Sequence, residues 1–149
     1  MPEVDLTQTI REWTKVFLQR SFRDFRRFME EADLSPSQVT ALMHLMHHGD
    51  CGVSDIGEYL GVTVPAASQM VDRLVGQGIL VRTESSNDRR FKQIALTEKG
   101  RKILNKSFEA RQQWLEQVTA SLTPEERRLI AEALTLLTKA AIEADAERA

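Results

Sequence analysis

The stretch VSDIGEYLGVTVPAASQMVDRLVGQGILVRTESSNDRRFKQIALT, residues 53–97, decides the reading of this chain. It divides into a short helix, a tight turn, a second helix and a two-stranded ribbon with a charged tip. Thr63 is placed to cap the second helix, and Pro65 falls within its first turn, where a missing N–H leaves no hydrogen bond unmade. Ala67, Met70, Val71, Leu74 and Val75 recur at helical spacing and give it one apolar face. The opposite face carries Pro65, Ala66, Gln69 and Arg73, with Ser68 and Asp72 at its margins. Short side chains near the N-terminus allow close backbone approach, and an amide and a guanidinium further on can read base edges. That is the profile of a helix entering a DNA major groove.

On the N-terminal side, Ser54 is placed to cap the short helix, in which Ile56 and Leu60 lie one turn apart. Gly57 inside it costs about 1 kcal/mol against alanine, so close packing is expected there. Gly61 supplies the C-terminal turn, and two residues then lead into the second helix, which makes the pair a helix-turn-helix. On the C-terminal side, Gly76 and Gly78 end the second helix. Leu80–Glu84 and Gln93–Thr97 alternate polar and apolar residues, with Ile94 and Leu96 on one face, as half-buried strands do. The residues between them, Ser85–Lys92, outnumber the two to five or so that a simple reversal uses, and they carry Arg89, Arg90 and Lys92. The surplus length and charge suggest a wing that reaches for something.

Further out, residues 5–31 form a long amphipathic helix with Leu6, Ile10, Trp13, Phe17, Phe25 and Phe28 at three- and four-residue spacing, and Phe22 widens the stripe. Such a face must be buried, against its own chain or a second subunit. Arg20, Arg23, Arg26 and Arg27 read most simply as a solvated face. Ser35 and Gln38 frame a capping box with Pro36 at the first position, opening a helix that turns Val39, Leu42, Met43 and Met46 inward and stops at Gly49. Asp50 to Val53 is a short extended link. Beyond the wing one helix runs from Thr97 to about Ser121, with Ile103, Leu104, Phe108, Arg111, Trp114, Leu115, Val118 and Leu122 as its stripe. A second capping box, Thr123–Glu126, opens the last helix, where Leu129, Ile130, Ala133, Leu134, Leu137, Ala140 and Ala141 repeat at the same period. The fold class is therefore α+β, mostly α. Residues 35–97 make a winged helix-turn-helix core, and 1–34 with 98–149 make a helical dimerisation region. The terminal stripes exceed what one small domain covers, and a homodimer is the economical solution.

Composition narrows the function. At 149 residues with 42% hydrophobic and 28% charged content the chain suits a soluble globular protein. No apolar run approaches the roughly 18 residues of a membrane span. The opening MPEVDLTQTI is polar and acidic, unlike a secretory signal. One cysteine builds no internal disulfide framework, which fits a reducing, cytoplasmic setting. Net charge is −2, yet residues 62–101 hold seven cations against four anions, a local +3 on a body of −5. A basic island on an acidic body suits a protein that meets a polyanion with one face. No Ser/His/Asp-type order, phosphate-cradling glycine loop or paired carboxylates appears, so neither an enzyme nor a cofactor is expected.

His44 and His48 stand four apart with His47 beside them and Cys51 just beyond, a spacing that can hold a metal. No nearby carboxylate completes the set. Histidines facing the negative end of a helix dipole are the simpler reading, so no metal is expected. Cys51 reads as a small buried thiol rather than a redox switch.

The motifs together resemble the multiple-antibiotic-resistance regulator (MarR) family. Asp88 to Thr97 fits D-x-R-x-x-x-x-x-L-T, the wing signature of that family, and Asp72-Arg73-Leu74 through Gly78-Ile79-Leu80 fits D-R-L-x-x-x-G-[IL]-[LV]. The resemblance implies a homodimeric transcriptional regulator of pseudo-palindromic operators in double-stranded DNA, usually a repressor released by a small-molecule effector or an oxidant. It makes Arg90 the wing arginine of the minor groove and Asp88 the acidic group that orients the wing through an arginine. The expected DNA-binding set is Thr63, Pro65, Ala66, Ser68, Gln69, Arg73, Asp88, Arg89, Arg90 and Lys92. An effector pocket bounded by the first, second and fifth helices follows from the resemblance, with Trp13, His44, His48 and Trp114 as candidate lining. Two departures stand out. Phe91 follows the wing arginine where many members have glycine or alanine, and the first helix lacks the cysteine of peroxide-sensing members. The competing reading is a ligand- or metal-binding interaction module whose winged helix docks protein. Affinity for random duplex DNA against salt discriminates the two, because a protein-docking module shows almost no salt slope.

Overall fold

The structure, a computed structural model, describes residues 5–85, 87–88 and 90–148. Its elements are α1 (Leu6–Ala32), α2 (Pro36–His48), α3 (Val53–Leu60), α4 (Val64–Gly76), β1 (Leu80–Glu84), β2 (Lys92–Leu96), α5 (Glu98–Ala120) and α6 (Pro124–Ala146). The mostly helical fold with one antiparallel ribbon is the winged helix-turn-helix expected from the sequence. The chain divides into two compact units, residues 1–111 and 112–149.

Local chemistry sets the helix ends of the first unit. Asp5 caps α1 by accepting from Gln8 N at 3.1 Å, and α1 ends at Asp33, whose φ of 53° is left-handed. The Ser35–Gln38 capping box is reciprocal: Ser35 Oγ accepts from Gln38 N at 3.2 Å and Gln38 Oε1 from Ser35 N at 2.9 Å. Caps of this kind contribute about 1 kcal/mol each. Thr63 Oγ1 accepts from Ala66 N at 3.3 Å, so α4 starts where its cap predicts. The cap of α3 differs from expectation. Val53 is already helical, Gly52 takes the N-cap position, and Asp55 Oδ2 accepts from Gly52 N at 3.0 Å, which leaves Ser54 exposed in the first turn.

The core of this unit lies beneath the helix-turn-helix and the wing. Leu42 of α2, Ile56 of α3, Leu74 of α4, Leu80 of β1, Ile94 of β2 and Leu104 of α5 are its largest fully buried side chains. Ala67, Val71 and Leu74 turn inward from α4 as its periodicity requires, and Met70 and Val75 flank them half-buried. In α2, Ala41 and Leu45 join Val39 and Leu42 inside, while Met43 and Met46 pack only partly against the core. Gly57 meets its expected tight contact, since a Cβ there would lie 3.2 Å from Val62 O and 3.5 Å from Ala67 Cβ.

The wing pairs Leu80 with Leu96 through Glu84 with Lys92. Its second strand begins one residue before the expected Gln93 and ends before Thr97. The Asp50–Val53 link is extended at Cys51, which bridges β2. Ile94 N donates to Cys51 O at 2.7 Å, and Cys51 N donates to Ile94 O at 3.3 Å. The link thus supplies a third edge to the base of the wing. Arg111 of α5 places its guanidinium 5.9 Å from the centroid of the Phe17 ring of α1.

In the second unit, Thr123 and Glu126 close the predicted capping box at 3.2 Å and 2.8 Å. Arg127 donates to Thr119 O at 2.8 Å and Ala120 O at 3.2 Å, satisfying carbonyls at the end of α5 that have no helical partner. No residue of α6 is buried, and Leu129, Leu136 and Ile142 are 67%, 71% and 64% exposed. Among the described residues no helix is long and apolar enough to cross a membrane.

Candidate nucleic-acid interface

Because Ala67, Val71 and Leu74 are drawn into the core, the opposite side of α4 faces outward. Pro65, Ala66, Gln69 and Arg73 are exposed on it and Ser68 is half-buried at its margin. Thr63, exposed at the N-terminus, spends its hydroxyl oxygen on the Ala66 cap. Small residues lead and polar ones follow, so the first turns can approach a surface closely while Gln69 and Arg73 extend past them.

The wing tip is ordered by its own main chain. Ser85 N donates to Phe91 O at 2.9 Å, and Phe91 N to Asp88 O at 3.1 Å. Asp88 Oδ1 accepts from Arg90 N at 2.9 Å, an Asx turn that sets the course of the backbone at Arg90. The family resemblance implied that Asp88 works through an arginine. Among the described residues its bond is to the main chain of Arg90, because a short carboxylate two residues before an N–H closes this turn locally. Arg90, Lys92 and Phe91 are all exposed, Phe91 at 68%. Arg89 lies outside the described residues.

Among the described residues, the ion pair that joins wing and helix is Arg82 with Asp72, Nη2 to Oδ1 at 2.5 Å. The sequence places Asp72 at the margin of the outer face of α4 and Arg82 in the first strand, with nothing to link the two. They are 10 positions apart, and no local pattern announces a pair between a helix and a strand. Nor did sequence reveal how the far end of α4 is held. Lys99 Nζ donates to Gln77 O at 2.7 Å, and Thr97 Oγ1 donates to Gly78 O at 2.6 Å.

The histidine cluster is built by stacking. His44 and His48 rings lie 4.5 Å apart at 26°, and Tyr59 of α3 covers His44 at 4.0 Å. Among the described residues no group of three or more His, Cys, Asp or Glu is placed to hold a metal ion. Trp13 tilts against Phe17 at 6.2 Å on α1, and Trp114 lies half-buried in the second unit. Cys51 is half-buried, and burial together with Asp55 and Asp50 pushes its thiol above the ordinary range. A thiol held protonated is a poor oxidant sensor.

Comparison with known proteins agrees with this geometry. The MarR family profile matches residues 32–90, from the end of α1 to the wing tip. The uncharacterized HTH-type transcriptional regulator YfiV of Bacillus subtilis is 33% identical over 128 residues, covering 86% of this chain and 79% of YfiV. The HTH-type transcriptional repressor MdtR of the same organism is 31% identical over 113 residues, covering 76% of this chain and 73% of MdtR. Among solved structures, the transcriptional regulator Tm0710 of Thermotoga maritima superposes with a TM-score of 0.76 at 24% identity, over 96% of this chain and 97% of that one. YusO of Bacillus subtilis follows at 0.68 and 27%, over 93% and 99%. The winged helix-turn-helix, its outward-facing α4 and these relatives together place the chain in the MarR family of DNA-binding transcriptional regulators, which are not enzymes.

Proposed function

We propose that this protein is a ligand-responsive homodimeric repressor that binds a pseudo-palindromic operator in double-stranded DNA. The observation that carries the reading is the pairing of an outward polar face on α4 with a basic, internally ordered wing tip beside it. Gln69 and Arg73 are assigned to base edges in the major groove, with Thr63, Pro65, Ala66 and Ser68 admitting the helix. Arg90 is assigned to the minor groove, Arg89 and Lys92 to phosphates, and Asp88 to shaping the tip.

Residues 1–34 and 98–149 are assigned to dimerisation. Its support is the apolar surface that α6 leaves open in a single chain, Leu129, Leu136 and Ile142 above all. Two recognition helices related by a two-fold axis would meet successive major grooves about 34 Å apart. Repression is assigned by analogy with the transcriptional repressor MdtR, and Trp13, His44, His48 and Trp114 are the candidate effector lining.

Selection of bound duplexes from a random pool tests the whole reading. The expected result is a palindromic consensus whose half-sites lie about one helical turn apart. Recovery of no consensus, or of a single unrepeated half-site, would overturn the dimeric operator.

A further inference from the structure

The C-terminal end of α4 is held by the first turn of α5. Lys99 Nζ donates to Gln77 O at 2.7 Å. Thr97 Oγ1 donates to Gly78 O at 2.6 Å, lies 3.0 Å from Ile79 O, and accepts from Gly100 N at 3.1 Å. The main-chain N–H of Thr97 donates to Ile79 O at 3.1 Å. Three successive carbonyls after the recognition helix, those of Gln77, Gly78 and Ile79, are therefore claimed by two residues at the start of α5, Thr97 just before it and Lys99 in its first turn. Gly100 completes the joint. It is buried, and a Cβ there would stand 2.4 Å from Ile79 O, so only glycine lets the two backbones approach this closely.

The lever arm makes this joint matter. With 13 residues, α4 is about 20 Å long. A tilt of ~5° about its C-terminal end moves its first turn by about 1.7 Å. Hydrogen bonds to base edges tolerate only a few tenths of an ångström before they weaken. The segment after α4 folds back on the helix around the left-handed Gly78. Gln77 N donates to Arg73 O at 3.1 Å, Gly78 N to Val75 O at 2.9 Å and Ile79 N to Leu74 O at 3.0 Å, so a hold on these residues is passed directly to α4.

We propose that Thr97 and Lys99 are positioning residues for DNA binding, which lock the angle of the recognition helix to the base of α5. The proposal rests on α4 being the DNA-reading helix. It gives the two residues an effect on affinity exerted through the angle of α4 rather than through contact with DNA, and it makes α5 the element whose movement is passed to α4.

The test uses the full chain and a duplex recovered by the wild-type protein from a random pool, with affinity measured against salt. Thr97→Val keeps the side-chain shape and deletes the hydroxyl, while Thr97→Ser keeps the hydroxyl. T97V should bind about 5- to 10-fold more weakly, the loss of one well-made hydrogen bond. Its slope of log affinity against log salt should be unchanged because no phosphate contact is removed. T97S should restore binding to within about twofold of wild type. Lys99 is exposed, so K99A is expected to fold, and it should also weaken binding without changing the slope. If T97V loses its helical circular dichroism, K99A decides.

A folded T97V that binds like wild type overturns the proposal, as does a K99A that does so or whose slope falls by about one, which would make Lys99 a phosphate contact. A T97V effect confined to the urea midpoint, with binding in the cold unaltered, overturns it too. A wild-type protein that recovers no duplex overturns the DNA-reading function itself, a result distinct from equal binding by wild type and variants.

Discussion

Arg82 on β1 and Asp72 on α4 form an ion pair with Nη2 and Oδ1 2.5 Å apart, tying the wing to the recognition helix. The pair is partly exposed, with side-chain accessibilities of 32% and 60%, so its direct contribution to stability is about 0.5 kcal/mol. Its larger effect is geometric. A double-mutant cycle on R82A and D72A should return a coupling of about 0.5 kcal/mol in urea unfolding, alongside a greater coupling in DNA affinity. Equal couplings in the two measurements would show that the bridge does nothing for wing placement.

Arg90 is the first residue to change at the wing. The Asx turn from Asp88 shapes the backbone around it and leaves the side chain exposed. R90A should weaken operator binding and flatten its salt dependence by up to about 0.9 in slope, because a cation seated in the minor groove also displaces counterions from the duplex. A mobility-shift series at two salt concentrations that matches wild type would remove the wing from the binding account.

Gly100 should tolerate no side chain. Ile79 O would stand 2.4 Å from an added Cβ and Leu96 Cδ2 3.1 Å from it, and a backbone oxygen cannot rotate away. G100A is expected to destabilise the fold by about 1–3 kcal/mol, read as a lower urea midpoint. An unchanged midpoint would mean that α5 slides off the α4–β1 turn at no cost.

The open face of α6 predicts an assembly effect. Leu129 and Leu136 lie seven residues apart on one side of the helix, 67% and 71% exposed. Replacing both with glutamate should halve the mass measured by light scattering while leaving helical content intact, since neither side chain supports the single-chain fold. A mass equal to wild type would place the dimer interface elsewhere.

Cys51 should be slow to react. Burial and the nearby Asp55 and Asp50 carboxylates raise its thiol, so the reactive thiolate is scarce at neutral pH and accumulates only above the ordinary thiol range. Alkylation followed by mass spectrometry should show a rate below that of an exposed cysteine peptide at pH 7, climbing as pH increases. Rapid labelling at pH 7 would contradict the half-buried setting beside two carboxylates.

Sequence alone determined the parts of this protein whose causes are local. Helix starts at Ser35, Thr63 and Thr123 follow from side-chain oxygens within four residues of the N–H groups they satisfy. The inward set of Ala67, Val71 and Leu74 follows from a period of 3.6, which puts Gln69 and Arg73 on the other side. Where local alternatives competed, sequence slipped. Gly52 rather than Ser54 starts α3 because Asp55 reaches back to the Gly52 N–H, a choice between two neighbours of similar local merit.

Only the tertiary structure decided how the reading elements are held. Arg82 reaches Asp72, Lys99 reaches Gln77 and Thr97 reaches Gly78 across separations of 10, 22 and 19 residues. Such pairs carry no periodicity, since any cation or hydroxyl at those positions looks solvated until packing of the core sets two elements side by side. Local chemistry made the recognition helix and the wing, and packing fixed the angle between them.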